Sequence, residues 1–212
     1  MKKLFITIGL AALVSSSQAQ GTLNFLNAAA TVINLSSNSV ALGNTPATVG
    51  GFRYELFFAP AGTLNPALFV GSGVIATNTT AGRFTIGTGS IIPGAAAGGT
   101  SAIMIRGWSA SLGADWATAI LQQGIIGGFF GQSAIAPNFL MGGGPLNVPT
   151  SPVFGGANGI LPLVVAASPN GVGFTLNYFS PVPEPTSMAD RMAFWQGFWY
   201  ARMRGTCLTV CA

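Results

Sequence analysis

Short apolar runs separated by turn-forming residues are the feature that most constrains the fold of this 212-residue chain. From residue 21 onward, glycine, asparagine, proline, serine and threonine interrupt β-branched and aromatic runs at short intervals, which is typical of strands joined by turns. The sequence therefore predicts an all-β fold, an antiparallel β-sandwich of the jelly-roll or Ig-like type. A transmembrane barrel is the alternative, but its strands need roughly ten residues, and most runs here are shorter.

Eight runs are predicted to be strands, and two of them alternate clearly. Along residues 51–58, an aromatic and aliphatic face alternates with a face that carries Arg53 and Glu55. Residues 101–108 put Arg106 and Trp108 on one face and isoleucines on the other. The predicted strands are residues 22–27, 31–35, 51–58, 68–70, 82–86, 101–108, 161–166 and 172–179.

One short helix and one long loop interrupt the predicted strands. Residues 115–123 are expected to form a helix, because Asp115 is a good N-cap and Gly124 a good terminator. Residues 142–159 are rich in glycine and proline and have the length of a lid or a binding loop.

Composition divides the chain into three parts. Residues 1–19 predict a secretory signal peptide, because Lys2 and Lys3 precede an apolar run that ends in a small-x-small cleavage site. Residues 20–180 form the predicted β domain. Residues 181–212 form a tail of different composition, which carries Glu184 and half of the basic residues outside the signal.

Charge is scarce throughout, at 6% of residues, and this limits the partners that can be expected. The β domain carries only Arg53, Arg83 and Arg106 as basic residues, and they are scattered. Nucleic acid is therefore excluded as a partner, since phosphate binding needs clustered Lys and Arg. A domain with net charge near zero has little repulsion to oppose contact between copies, so self-association is expected.

Residues that commonly carry catalysis are nearly absent. The chain has no His, and its two cysteines lie in the tail, so nucleophilic triads and the usual zinc or copper sites are excluded from the β domain. No catalytic, cofactor-binding or metal-binding residues are predicted. Glu55 and Asp115 are the domain's two carboxylates, and a hydrolase that uses them is the third functional hypothesis. A glycine pattern at residues 71–76 resembles a dinucleotide fingerprint but lacks the following helix and acid, and is rejected.

Aromatic residues suggest the second hypothesis, a carbohydrate-binding module. Rings of Trp and Tyr stack on the apolar faces of sugars when they are exposed. Trp108, Trp116 and Tyr54 are the candidates. Each lies in an apolar pattern, so a place in the core is favoured for each of them.

The run Val182, Pro183, Glu184 and Pro185, followed by Thr-Ser-Met-Ala, resembles the sorting motif of PEP-CTERM proteins. The resemblance implies a bacterial protein that is exported, recognised by an exosortase-type sorting enzyme and delivered to the cell envelope or an extracellular polysaccharide matrix. It thereby implies the exosortase and the polysaccharide as partners. The first functional hypothesis is therefore a non-enzymatic, exported envelope or matrix protein.

The tail departs from this family after Ala189. Family members continue with an apolar membrane helix and an arginine cluster, but the uncharged interval here is residues 192–201. A bilayer-spanning helix needs about twenty apolar residues, so this interval is too short. Two interpretations stay open: an interfacial amphipathic segment with aromatic residues at headgroup depth, or a shift of reading frame near Asp190.

Overall fold

The predicted all-β class is confirmed. The computed structural model describes residues 20–155, 158–161, 163–165 and 168–181, and this part contains eleven strands and one α-helix. The predicted signal peptide and residues 182–212 lie outside the described residues. The helices of the described part are all too short or too polar to cross a bilayer.

Most elements follow one another along the chain with short connections. The strands are β1 (Gln20–Leu26), β2 (Val32–Ser37), β3 (Val40–Asn44), β4 (Phe52–Pro60), β5 (Val70–Thr80), β6 (Arg83–Ala96), β7 (Thr100–Ser109), β8 (Gly128–Gln132), β9 (Ala136–Leu140), β10 (Leu163–Val165) and β11 (Ser168–Phe179). The helices are α1 (Trp116–Gln122) and the 3-10 turns Ala29–Thr31, Pro66–Leu68 and Ala110–Leu112.

The strands form one curled, mixed sheet. Nine of them follow the order β1-β6-β5-β4-β7-β8-β11-β2-β3, while β9 pairs with β7 and β10 with β11. All strand pairs are antiparallel except β11 with β2. The sandwich was predicted as two antiparallel sheets, whereas hydrogen bonds here continue from strand to strand along a single path.

The sheet closes on itself at the turn between β5 and β6. Gly82 in this turn donates to the carbonyl of Thr45 at 2.9 Å and accepts from the amide of Ile33 at 2.9 Å. Thr45, directly after β3, in turn donates to the Ile33 carbonyl. The φ of Gly82 is +70°, and a Cβ there would lie 2.9 Å from the Cβ of Val32, so glycine is required on both counts.

Two buried asparagines fasten the connections around this junction. The amide nitrogen of Asn27 donates to the carbonyls of Thr31 and Gly82, and its oxygen accepts from the amide of Phe84 at 2.7 Å. Asn78 accepts from the amide of Phe52 and donates to the carbonyls of residues 46 and 48. These side chains supply hydrogen-bond partners to buried backbone groups next to the ends of the strands.

The concave side of the sheet encloses the main core. Its centre is a chain of aromatic rings in which Tyr54 stacks on Phe84 at 4.6 Å and Phe84 contacts Phe25 at 5.1 Å. Phe174 of β11 meets Tyr54 edge-on at 6.2 Å. All four rings are buried, and the core therefore links β1, β4, β6 and β11 directly.

A second, smaller core lies on the convex side of β4 and β7. The predicted alternation of residues 101–108 is confirmed here: Ile103 and Ile105 join the main core, whereas Met104 and Trp108 join clusters on the other face. Helix α1 covers this face. It begins after Asp115, whose carboxylate accepts from the amide of Thr118 at 2.7 Å, which confirms the predicted N-cap.

The described part of the long loop predicted at residues 142–159 covers a strand edge, where a lid or a binding loop was expected. Its backbone pairs with the outer edge of β1, at Thr22 with Gly142 and at Asn24 with Pro152. Val153 and Ile160 are fully buried in the main core. The segment thus protects an edge strand, which would otherwise expose unpaired backbone groups.

Several strand predictions were too short or missing. The prediction at residues 68–70 falls on the 3-10 turn Pro66–Leu68 and the start of β5, and the one at residues 82–86 covers only the start of β6. Strands β3, β8 and β9 were not predicted. The rejected dinucleotide pattern at residues 71–76 lies inside the extended strand β5.

The Asn27 amide gives a direct test of the junction. Replacing Asn27 with Ala leaves the buried amide of Phe84 without its side-chain partner and removes the bonds to the carbonyls of Thr31 and Gly82. A buried group left unpaired costs about 1–3 kcal/mol. We therefore expect a loss of about 3 kcal/mol in the free energy of unfolding, measured by urea denaturation. The control is Asn138→Ala, since Asn138 is exposed in β9, and a change within about 0.5 kcal/mol is expected. Equal effects in both variants would contradict the role of Asn27.

Candidate functional site

The convex face of the sheet carries two rows of side chains, one across four strands and one across three. In one row, Arg53 of β4 pairs with Trp108 of β7, Trp108 with Phe130 of β8, and Phe130 with Asn177 of β11. In a second row, Glu55 pairs with Arg106, and Arg106 with Gln132. Charged residues thus lie toward β4, and uncharged polar and aromatic residues lie toward β11.

Trp116, the first residue of α1, lies over the middle of this face. Its ring meets the rings of Trp108, Phe130 and Phe57 edge-on, with centroids 5.6 to 6.0 Å apart. Trp116 is half-buried, whereas Trp108 is fully buried. The capped start of α1 therefore fixes the position of a large aromatic side chain that remains partly accessible.

Arg106 lies between two aromatic rings. Its guanidinium carbon is 4.4 Å from the centroid of Phe57 and 5.0 Å from that of Trp116. One terminal nitrogen donates to the carbonyl of Pro66 at 2.9 Å. Burial lowers the pKa of Arg106, and the charge of Glu55 opposes that shift. Stacking of this kind holds the cation in place without a direct ion pair.

Glu55 is a buried carboxylate, only 6% exposed. Its Oε1 atom accepts from the backbone amide of Gly73 at 3.2 Å. A Cβ at Gly71 would lie 2.5 Å from the same oxygen, so glycine there makes room for the carboxylate. Burial raises the pKa of Glu55, the backbone amides of Gly73 and Trp116 offset part of the rise, and the nearby charge of Asp115 adds to it.

An open groove lies between α1 and the ends of β8 and β11. Its volume is about 270 Å³. Aromatic and aliphatic side chains and uncharged polar groups line it together. The lining residues are Trp116, Ile120, Gln123, Phe130, Gly131, Gln132, Thr175, Asn177 and Phe179.

A second depression lies next to this groove, beside the same two strands. Its volume is about 520 Å³, and it shares Gln132 and Thr175 with the first. The remaining lining residues come from residues 133–134, Leu161 and residues 173–174. We call the two together the α1 groove; every residue that lines it is uncharged.

The three aromatic candidates from the sequence have different positions. Tyr54 and Trp108 are fully buried, as expected for core residues. Trp108 also donates from Nε1 to the carbonyl of Gly113 at 3.0 Å, which satisfies its polar atom inside the fold. Trp116 alone of the three lines the α1 groove.

The two candidate carboxylates, Glu55 and Asp115, both lie near the start of α1, and both accept hydrogen bonds from backbone amides. Glu55 accepts from Gly73, and Asp115 accepts from Thr118 as the helix cap. The hydrogen bonds from Thr118 hold the pKa of Asp115 below its usual range. Glu55 was predicted on an outer strand face, and it lies on that face, but burial beneath the start of α1 removes it from solvent.

The sequence did not predict most of the residues that line the groove. Phe130 and Gln132 belong to β8, a short strand between glycines that was not predicted. Asn177 and Phe179 fall in a predicted strand, on the face opposite the apolar residues Phe174 and Leu176. In the sequence, Asn177 and Phe179 alternate with the apolar residues of this strand. A Phe on an otherwise polar strand face was the feature that could have indicated a binding surface.

The sorting motif Val182, Pro183, Glu184 and Pro185 lies outside the described residues. In the described part, no three side chains of His, Cys, Asp or Glu come together as metal ligands would.

Comparison with known proteins returned no relative. No family model matches the chain, no curated protein matches its sequence, and no solved structure matches its fold.

The opposite pKa shifts of the two carboxylates predict opposite effects of pH. Because its pKa is raised, Glu55 keeps its proton to a higher pH in the folded protein than in the unfolded chain. Its contribution to the free energy of unfolding is therefore full below the ordinary pKa of 4.5, and it falls as pH rises through the higher folded value. The advantage of wild type over Glu55→Gln should therefore shrink as pH rises above the ordinary pKa of 4.5. Urea unfolding at several pH values measures it.

Asp115→Asn is the matched control for this experiment. The pKa of Asp115 is lowered in the folded protein, so its contribution is present above the ordinary pKa and is lost as pH falls through the folded value. The advantage of wild type over Asp115→Asn should grow as pH rises. The same trend in both variants would contradict the two environments described above.

Proposed function

We propose that this protein is a non-enzymatic component of the bacterial cell envelope or extracellular matrix, exported and sorted by a PEP-CTERM-type signal. The observation that carries the proposal is the run Val182, Pro183, Glu184 and Pro185, which follows the β domain shortly after β11 ends. Residues 1–19, with the pattern of a secretory signal peptide, add the export step that such sorting requires.

The β domain supports a binding or structural role over a catalytic one. Its two carboxylates are both held by backbone amides, at Gly73 and at Thr118. A general acid or nucleophile has to reach the substrate, and Glu55 is covered by β5 and the start of α1. The convex face instead offers uncharged polar and aromatic groups to solvent.

Sorting is tested by changing the motif in a bacterium that has an exosortase. We expect the wild-type protein in the envelope or matrix fraction, and a variant with Pro183, Glu184 and Pro185 all replaced by Ala to leave that fraction. Immunoblotting of cell, membrane, matrix and medium fractions measures the distribution. Pro145→Ala is the control, because Pro145 is an exposed loop residue. The same distribution for wild type and the triple variant would overturn the proposal.

Self-association is the second part of the proposal, and strand β3 supports it. β3 ends the strand path, so its outer edge has no partner strand in the described part of the chain. All five of its residues are exposed, including Val40 at 62% and Leu42 at 54%. An uncharged, apolar edge strand is a template for pairing with another copy, and an edge lysine normally prevents this.

A lysine on this edge should therefore weaken association. We expect the double variant Val40→Lys and Leu42→Lys to sediment as a smaller species than wild type at equal concentration. Sedimentation velocity over a concentration series is the measurement. Leu146→Lys adds the same kind of charge at a residue that is 87% exposed in the loop that covers β1, and it should behave as wild type. A wild type that stays monomeric at high concentration would refute this part.

A further inference from the structure

The α1 groove combines an aromatic wall with hydrogen-bonding groups. Phe179 is 42% exposed and meets the buried ring of Phe130 edge-on, with centroids 6.1 Å apart. Phe130 in turn contacts Trp116 at 5.6 Å. The rings thus form a continuous apolar surface whose outer member is open to solvent. Such a surface favours a ligand with apolar faces of ring size.

Amide side chains stand beside this wall. Gln132 and Asn177 are exposed, and Gln123 is half-buried at the end of α1. Each amide offers donors and an acceptor, so it can match a hydroxyl group in either role. Aromatic faces next to amides fit a ligand that has C–H faces and a rim of hydroxyl groups, which is the surface of a sugar ring.

The absence of charge in the lining restricts the ligand further. Recognition of carboxylates, sulfates or phosphates relies on Arg or Lys, and every lining residue of the α1 groove is neutral. Arg106 is held beneath Trp116 and donates to the Pro66 carbonyl. A neutral ligand is therefore favoured over an acidic one.

The shape of the groove indicates an extended ligand. Its two depressions share the lining residues Gln132 and Thr175, so they lie next to each other beside β8 and β11. The larger depression, with about 520 Å³, has the size of a small-ligand site, roughly 300–1,000 Å³, and the smaller one, with about 270 Å³, is just below that range. A linear chain of several units fills such a site better than one compact molecule.

We infer that the α1 groove binds a neutral, linear oligosaccharide, stacked on Phe179 and Trp116 and hydrogen-bonded by Gln132 and Asn177. This inference goes beyond the proposed function, because binding in the groove does not require the sorting motif. It gives the β domain a ligand of its own.

Affinity gel electrophoresis of the full-length protein tests the inference. The probes are the neutral polysaccharides laminarin, hydroxyethyl cellulose, xyloglucan and dextran, with alginate as an acidic comparison. We expect retardation by at least one neutral polysaccharide, unchanged by added salt because no charge is involved. Failure of all four neutral probes, or retardation by alginate alone with loss in salt, would overturn the inference.

Two neighbouring residues provide a matched pair of variants. Phe179 and Tyr178 are 42% and 41% exposed and adjacent in β11, but they point to opposite faces, where they contact Phe130 and Phe129 respectively. Phe179→Ala and Asn177→Ala should each weaken binding about tenfold, the effect of losing a central contact. Tyr178→Ala should leave affinity within about twofold of wild type.

Phe179→Ala and Tyr178→Ala also distinguish a loss of binding from a loss of folding. Circular dichroism and urea unfolding of each variant show whether the domain is intact. Equal losses of affinity in Phe179→Ala and Tyr178→Ala, or unchanged affinity in Phe179→Ala, would overturn the inference. Because these measurements use purified protein, they stand whether or not the Pro183 to Pro185 variant is sorted normally.

Discussion

The hydrogen bonds around Gly82 are the constraint on which the rest of the fold depends. The sheet path is long, and its two ends are far apart in strand order. Gly82, in the turn between β5 and β6, bonds to Thr45 through its N–H and to Ile33 through its carbonyl, and so brings β2 and β3 against the opposite end of the sheet. Without that closure, the aromatic rings of β1, β4, β6 and β11 would have no enclosed side on which to meet.

The scarcity of charge shapes how the interior is held together. Buried polar groups here are satisfied mainly by neutral side chains, with Asn27 and Asn78 each bonded to three backbone groups. A buried amide costs less to desolvate than a buried ion. Where charges enter the interior at Glu55 and Arg106, backbone amides and aromatic faces are their partners.

The sequence predicted the parts of the fold in which local and tertiary preferences agree. The cap at Asp115 depends on a local hydrogen bond to the amide of Thr118. The alternation along β7 requires only that both faces of that strand be covered, Ile103 and Ile105 by the main core and Met104 and Trp108 by the clusters on the other face. The strands predicted in the region of β5 and β6 were too short, because glycines such as Gly73 and Gly87 are residues that favour turns. They have positive φ yet lie inside the strands, where pairing with neighbours extends the sheet past them.

The same limit explains why the groove was hidden in the sequence. Its residues come from α1, β8 and β11, and only tertiary pairing puts them side by side. Phe130 stands opposite Asn177, and Phe129 opposite Tyr178. A slip of one residue in this pairing would exchange the two faces of β8, sending Phe130 into the main core and Phe129 to the groove.

What fixes that register is packing on both faces at once. On the convex side, Phe130 packs against Trp108 and Trp116. On the concave side, Leu176 is buried against Gly131, and a Cβ on Gly131 would lie 3.0 Å from the Cδ2 atom of Leu176. The groove is therefore built on strands whose alignment the core enforces, and its aromatic wall is in place before any ligand arrives. Such preorganisation reduces the entropy lost on binding, which matters most for a site that has no charges to supply affinity.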